Sequence, residues 1–286
     1  MTATTHSAAA VVRGVRSPVL EAGPPQASEA VVFVHGNPGA GEDWADLLVQ
    51  VGAFARALAP DMPGYGHADK SAGFDYSVAG YARHLAGVLE ELGVRRAHLV
   101  AHDFGGPWAL AWAAANPDAF ASATLIDTGA LIDYRWHRYA RIWRTPIVGE
   151  LFAAASTRAA FRVLVARENP RLYRDAIDRL YAQSRSWATK RAVLKLYRAT
   201  PESTLAAPAQ ALRALDRPAL VLWGTYDAYL PWQQAERQRQ AFPSARVELL
   251  EGLGHWPHIE DPGWVASLVI PFLREQVGRE DPSGAG

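Results

Sequence analysis

Residues 97–106, AHLVAHDFGG, constrain the fold of this chain more than any other stretch. A short apolar run ends in a turn that carries Asp103, and the segment that follows, PWALAWAAANP, has the composition of a helix. Ala101 and Gly105 stand two residues before and after Asp103, and a strand that bends sharply into a helix leaves room only for small side chains there. The stretch therefore predicts a strand, a tight turn with Asp103 at its apex, and a helix from Pro107.

Apolar strands alternate with helical stretches over most of the chain. EAVVFVHG, AFARALAPDMPG and FASATLIDTG each contain a predicted strand, and SVAGYARHLAGVLEELG is an amphipathic helix closed by Gly93. Near the C-terminus RPALVLWGTYD and ARVELLEGLGH are predicted strands, separated by a helix in PWQQAERQRQAF. This alternation predicts the α/β class, with a mostly parallel, doubly wound sheet.

A helical, arginine-rich segment interrupts the alternation between residues 131 and 214. We therefore predict a core formed by residues 1–130 and 215–278, a helical domain formed by residues 131–214, and a mobile tail at 279–286. The inserted segment has 16 Lys and Arg against 6 Asp and Glu, which gives it a charge of +10 in a chain of net charge zero. This charge either serves solubility and contacts between domains or attracts anionic substrates to a pocket.

The inserted segment also carries a predicted aromatic helix face. In a helix starting at Asp133, the side chains of Trp136, Tyr139 and Trp143 recur at helical spacing. Such a face either packs the insertion onto the sheet domain or forms the roof of a pocket. Trp136, Tyr139 and Trp143 are therefore candidate substrate-binding residues.

The composition limits the chemistry and the partners. The chain has no cysteine, so a cysteine nucleophile, a disulfide and a thiolate metal site are excluded. The balanced net charge gives no bulk attraction to nucleic acid or to an anionic membrane, and we find no signal-peptide pattern or long apolar segment. We expect a cytoplasmic monomer or homodimer that acts on a small molecule, without nucleic acid or membrane as a partner.

Polar residues collect at the ends of predicted strands, where the ligand crevice of an open α/β sheet lies. The loop HGNPG follows the first of these strands and contains His35 and Asn37; Asp103 follows another; Asp227 and His255 follow the last two. His258 offers a second imidazole beside His255, but a third metal ligand at usable spacing is missing. The segment GYGHAD lacks the third glycine of a dinucleotide fingerprint, so we predict neither a metal nor a cofactor.

These separated motifs resemble the α/β-hydrolase fold superfamily, in the aspartate-nucleophile branch of epoxide hydrolases and haloalkane dehalogenases. The resemblance covers nearly the whole chain, from the HGNP loop through DMPGYGHADK, similar to the family's PGxGxSD-type segment, to GLGHWPHIEDP. It implies that the helical segment is an inserted cap domain. It also implies that Asp103 is the nucleophile, His255 the general base and Asp227 the acid that orients His255. Asp127 is a rival for that acid, because some members place it after the earlier strand.

The chemistry of a carboxylate is consistent with these implied roles. A carboxylate can displace a leaving group from a saturated carbon and become an ester of the enzyme, which water activated by His255 then hydrolyses. The backbone N–H groups of Asn37 and Phe104 are candidate donors to the negative oxygen that forms, and His35 is expected to hold their loop in place. A protein that keeps the fold only to bind a ligand is the alternative of another class, but it would not need Asp103, Asp227 and His255 together.

The motifs do not decide whether the leaving group is a halide or the oxygen of an epoxide. Dehalogenases of this branch bind halide with an Asn after the HG pair and a Trp after the nucleophile; Asn37 fits, whereas the phenyl ring of Phe104 has no N–H. Epoxide hydrolases protonate the departing oxygen from cap tyrosines. The insertion offers candidates for either function, namely Trp136, Trp143 and Trp187 for halide and Tyr134, Tyr139, Tyr173, Tyr181 and Tyr197 for an epoxide. We favour epoxide hydrolysis, since Phe104 removes a donor that a dehalogenase needs.

Overall fold

The computed structural model describes residues 5–279. In this part of the chain eight strands form one sheet in the order β1-β2-β4-β3-β5-β6-β7-β8. The strands are β1 His6–Val12, β2 Val15–Ala22, β3 Glu29–Val34, β4 Arg56–Pro60, β5 Arg96–His102, β6 Phe120–Ile126, β7 Ala219–Gly224 and β8 Arg246–Leu250. The predicted tail at 279–286 lies, apart from its first residue, outside the described residues.

Helices cover the sheet and fill the segment between β6 and β7. They are α1 Ala45–Gly52, α2 Val78–Glu91, α3 Gly105–Ala115, α4 Arg138–Arg144, α5 Val148–Ala155, α6 Arg158–Glu168, α7 Arg174–Ser184, α8 Trp187–Ala199, α9 Glu202–Ala206, α10 Ala209–Leu215, α11 Gln234–Arg237, α12 Pro257–Glu260 and α13 Pro262–Gln276, with 3₁₀ turns at Gly41–Trp44 and Gln238–Gln240. None of the helices within residues 5–279 combines the length and apolar character needed to cross a membrane.

The sheet is mostly parallel and is covered on both faces. Strand β2 runs antiparallel to its neighbours β1 and β4, while every other neighbouring pair is parallel. Side chains alternate along a strand, so Val31 and Phe33 of β3 pack with helices α1 and α13, whereas Val32 and Val34 pack with α2 and α3. Burial on both faces accounts for the continuous apolar runs of the central strands. The predicted fold class is confirmed.

The insertion is the run of seven helices, α4 to α10, that the described chain forms between β6 and β7. Helices α4 and α8 contact each other, as do α6 and α7, while α10 returns to the core and contacts α3. The run leaves β6 at the carboxyl-terminal edge of the sheet and enters β7, its parallel neighbour, at the opposite edge. The boundaries predicted for the cap, 131 and 214, stay a prediction.

Helix α4 differs from its prediction. It begins at Arg138 and not at Asp133, because Asp133 adopts a left-handed conformation with φ 53° and His137 is extended. The imidazole of His137 accepts a hydrogen bond from the N–H of Ala140 and so caps the helix. Trp136 therefore precedes the helix and does not share a helical face with Tyr139.

The hairpin formed by β1 and β2 is absent from the sequence-based prediction. Its turn consists of Arg13 and Gly14, both with positive φ (51° and 78°), which is the conformation of a tight two-residue hairpin turn. The segment VVRGVR contains glycine between two apolar stretches, as a hairpin turn would, but arginine is not among the residues that favour such a turn. Helix α3 also begins at Gly105, two residues before the predicted Pro107.

Candidate active site

Asp103 lies at the apex of a sharp turn between β5 and α3. Its φ of 49° is left-handed, which is uncommon for a residue with a side chain. The turn packs against the loop after β3 so closely that a Cβ on Gly105 would lie 2.1 Å from the carbonyl oxygen of Val34. Glycine is therefore required at 105, and the turn holds the Asp103 side chain against the HGNP loop.

The Asp103 carboxylate is almost buried and has two close neighbours. The backbone N–H of Asn37 donates to Oδ1 at 2.6 Å, and Nε2 of His255 lies 3.4 Å from Oδ2. Burial alone would raise the pKa of Asp103, but the hydrogen bond and positive charge of His255 and the Asn37 N–H bring it below its usual value. The carboxylate is ionised and oriented. Phe104 precedes α3, so its N–H has no acceptor within the helix, as expected of a second donor.

His255 is held between two carboxylates. Its Nδ1 donates to Asp227 Oδ2 at 2.8 Å, while Nε2 faces Asp103. The side chain of Asp227 is fully buried, and its other oxygen accepts the N–H groups of Tyr229 (2.7 Å) and Leu230 (2.9 Å). Burial disfavours the imidazolium, yet the two carboxylates outweigh it and raise the pKa of His255 well above its usual value. The structure thus brings Asp103, His255 and Asp227 into one chain of contacts.

Asp127, the rival for the orienting acid, lies at the end of β6 with its backbone also left-handed (φ 45°). Its Oδ1 accepts the N–H of Gly224 at 2.9 Å, and no contact joins it to a ring nitrogen of His255 in the described structure. Burial and the neighbouring Asp227 carboxylate raise the pKa of Asp127 well above its usual value. Burial therefore favours the neutral acid form of Asp127.

The other histidines near the strand ends have structural contacts. His35 donates from Nδ1 to the Gly36 carbonyl (3.0 Å) and accepts the N–H of Met62 at Nε2 (2.9 Å), which fixes the HGNP loop as expected. His258 stacks on the indole of Trp44 with ring centroids 4.4 Å apart. Within residues 5–279 no group of three or more His, Asp or Glu side chains could hold a metal ion.

A cavity of about 330 Å³ opens above Asp103 and His255. Most of its lining is apolar and comes from the insertion, including Trp143, Phe152, Phe161, Leu164, Val193 and Leu194. Of the three predicted substrate-binding residues, Tyr139 and Trp143 line this cavity, whereas Trp136 does not. Trp136 instead lines a smaller cavity of about 20 Å³ next to Asp103, where it stacks on Phe104.

Tyr197 of α8 lines both cavities together with Asp103. The side-chain amide of Asn37 donates to its hydroxyl oxygen at 3.4 Å, so that oxygen acts as the acceptor and its own hydrogen stays available. The ring packs edge-on against Phe104, with centroids 5.0 Å apart. Burial, reinforced by the charge of Asp103, raises the pKa of Tyr197 well above its usual value. The phenol is therefore protonated beside the Asp103 carboxylate.

The other tyrosines predicted as leaving-group donors, and Trp187 among the predicted tryptophans, are bonded elsewhere or exposed. The Tyr134 hydroxyl donates to the carbonyl of Tyr229 (3.2 Å), and the Tyr139 hydroxyl to Glu168 (2.8 Å). Tyr181 packs against Phe161, and the side chains of Tyr173 and Trp187 are about half exposed. Of the five predicted tyrosines, Tyr139 and Tyr197 line the large cavity, and the hydroxyl of Tyr139 is already bonded to Glu168.

His137 is a pocket residue that the sequence analysis missed. It lines both cavities, and its Nδ1 accepts the Ala140 N–H at 3.3 Å, so the neutral ring carries its hydrogen on Nε2. Burial lowers the pKa of His137 to about 4, which keeps the ring neutral at physiological pH. Histidine is not a typical helix cap, and nothing in DYRWHRY distinguishes it from the surrounding aromatic residues.

Comparison with known proteins identifies the class to which this site belongs. Residues 29–262 match the family described as the alpha/beta hydrolase fold, and the chain belongs to that family. It is 28% identical to a 2-hydroxymuconate semialdehyde hydrolase of Pseudomonas sp. (strain CF600) over 270 residues, which cover 93% of each chain. It is 30% identical to a haloalkane dehalogenase of Mesorhizobium japonicum over 209 residues, or 70% of this chain and 67% of the relative.

Solved structures share the fold at lower identity. An epoxide hydrolase from an endophytic Streptomyces superposes with a TM-score of 0.77 at 23% identity and covers 96% of both chains. Structures of meta-cleavage product hydrolases reach similar TM-scores. The chain is thus a hydrolase of the α/β family, and the predicted superfamily is confirmed; the aspartate-nucleophile branch remains a proposal.

Proposed function

We propose that this protein is an epoxide hydrolase that forms an ester between its substrate and Asp103. One observation carries the proposal: Asn37 donates its backbone N–H to the Asp103 carboxylate and its side-chain amide to the hydroxyl of Tyr197. Asn37 therefore contacts both the group proposed as the nucleophile and the group proposed as the proton donor. An epoxide needs both, because its departing oxygen is a strong base.

In the first step the Asp103 carboxylate attacks a ring carbon of the epoxide. The carbon–oxygen bond of the ring breaks, and the departing oxygen takes the hydroxyl proton of Tyr197. The Asn37 amide then stabilises the phenolate that remains. Asp103 loses its negative charge on forming the ester. One of the two carboxylates that favour the protonated form of His255 is therefore lost. The pKa of His255 falls, and its proton restores Tyr197.

In the second step neutral His255 takes a proton from water, and the hydroxide attacks the carbonyl carbon of the ester. The negative oxygen that forms is stabilised by the N–H of Asn37, with that of Phe104 as the second donor. The tetrahedral species expels the diol oxygen, which is protonated by His255. Asp103 is left as a carboxylic acid and returns its proton to the imidazole of His255. The sum of the two steps is the addition of one water to the epoxide.

The cavity supports a neutral and mainly apolar substrate. Among its lining residues the charged side chains are Asp103, Glu168, Lys190 and, when protonated, the histidines, and no arginine of the insertion lines it. Lys190 is thus the one lysine or arginine of the insertion among these lining residues, which supports the first of the two interpretations, solubility and contacts between domains.

Haloalkane dehalogenation is the second candidate. It is supported by the Mesorhizobium relative and by Trp136, whose indole N–H is buried beside the small cavity without a hydrogen-bond acceptor. Against it, the amide of Asn37 is directed to Tyr197, and Phe104 offers no side-chain donor. The semialdehyde hydrolase function is less compatible with Asp103, because a carboxylate that attacks a carbonyl carbon produces an anhydride and not a stable ester.

Replacing Tyr197 by Phe tests the epoxide assignment. We expect the rate of diol formation to fall by about 10²-fold, because the departing oxygen loses its acid, while release of bromide from a bromoalkane stays nearly unchanged. Both rates are measured on the same preparation. Tyr139→Phe is the matched control, since its hydroxyl lines the cavity but is bonded to Glu168. Wild-type bromide release faster than diol formation, with no effect of Tyr197→Phe on either, would favour the dehalogenase.

A further inference from the structure

Glu168, the last residue of α6, has one carboxylate oxygen that the fold leaves without a partner. Its side chain is 8% exposed and lines the large cavity. Oε1 accepts the hydroxyl of Tyr139 at 2.8 Å and pairs with the guanidinium of Arg138. Oε2 is buried and makes no hydrogen bond. A buried acceptor of this kind is costly unless a ligand satisfies it.

The position of Glu168 is remote from the reacting carbon. The ring of Tyr229 packs against His255 with centroids 4.9 Å apart, and Tyr139 packs against Tyr229 at 6.2 Å. Glu168 lies beyond Tyr139, so two aromatic rings separate it from the base. A substrate bound at Asp103 would meet Glu168 with a distant part of its chain.

We propose that Glu168 selects epoxides that carry a hydroxyl or N–H group away from the ring, by accepting a hydrogen bond at Oε2. This inference rests on the proposed function. An ionised carboxylate can only accept, which excludes ethers and ketones as its partners. Arg138 already neutralises the same carboxylate, so the complementary group is a neutral donor and not a cation.

The test uses two epoxides with the same carbon skeleton, one ending in a hydroxyl and one in its methyl ether. The wild-type protein should prefer the hydroxyl by roughly ten- to a hundredfold in kcat/KM, the effect of one hydrogen bond to a charged group. In Glu168→Gln the amide oxygen faces Tyr139 and Arg138, and the amide N–H₂ that replaces Oε2 donates to either substrate. The preference should then shrink to within about threefold. Ser156→Ala, also in the cavity lining, should keep the wild-type preference.

A binding measurement separates this inference from the proposed reaction. Titration calorimetry with an unreactive long-chain alcohol and its methyl ether measures the same contact without catalysis. If no epoxide is hydrolysed but the alcohol binds more tightly than the ether, and Glu168→Gln removes the difference, the proposed reaction is wrong and the Glu168 site stands. The inference is overturned if epoxides are hydrolysed without a preference for the hydroxyl, or if the alcohol binds no more tightly than the ether. It is also overturned if Glu168→Gln leaves the preference intact.

Discussion

Replacing His255 by Gln is expected to stop turnover and to leave the substrate esterified to Asp103. The Asp103 carboxylate keeps its hydrogen bond from Asn37 and can still attack, but water lacks the base that activates it. Loss of a triad histidine lowers turnover by a factor on the order of 10⁶. Intact mass after incubation with a small epoxide should rise by the mass of the whole epoxide, and peptide mapping should place the adduct on Asp103.

The same variant distinguishes the two leaving groups. A bromoalkane would add the alkyl group without bromine, so separate incubations with each substrate class assign the reaction. The double variant Asp103→Asn, His255→Gln is the control and should form no adduct. If neither substrate class labels the His255→Gln variant and the wild-type protein also turns over neither, the covalent mechanism is wrong and the ligand-binding alternative gains support.

Asp227→Asn and Asp127→Asn should differ in effect by several orders of magnitude. Asp227 accepts the Nδ1–H of His255, and an amide in its place disturbs the tautomer and the charge of the ring, which costs on the order of 10⁴ in kcat in a comparable triad. Asp127 is already neutral, because its pKa is raised by burial and by Asp227, so a neutral amide replaces a neutral acid. We expect Asp127→Asn to change kcat by less than about tenfold, the scale of one neutral hydrogen bond.

The pH dependence of the two variants gives a second measurement. Asp227 is one of the two carboxylates that raise the pKa of His255, so its loss should lower that pKa and move the pH at which the base becomes neutral downward. Asp127→Asn should leave the position of the profile nearly unchanged. Single-turnover rates of ester hydrolysis between pH 5 and 10 separate these outcomes. A larger loss in Asp127→Asn than in Asp227→Asn would make Asp127 the orienting acid.

The sequence predicted those site residues whose position depends on a local turn or on the end of a strand. Gly105 and Ala101 fit only a sharp turn at Asp103, and apolar runs before His35 and Asp227 place these residues at strand ends. In a parallel sheet these ends share one edge, so the motifs are brought together by topology alone.

The rest depends on contacts between distant segments. The packing of the loops after β6 and β7 decides which of Asp127 and Asp227 meets His255. An apolar strand precedes both acids, directly before Asp127 and three residues before Asp227. The position of Tyr197 follows from how α8 lies over the core. His137 caps α4 with an unusual residue, so the start of that helix, and with it the displacement of Trp136, had no recognisable local signal.

Asn37 is the one described residue whose hydrogen bonds join Asp103, on the core, to Tyr197, on the insertion. The two halves of the chemistry thus have separate origins in the chain. In the proposed mechanism the attacking group and its regeneration belong to the strand ends, whereas the acid that protonates the leaving group lies on α8. If that mechanism holds, a graft of different helices between β6 and β7 should change the bond that is broken and keep an Asp103 ester as the intermediate. The insertion would then be a replaceable module that selects the reaction.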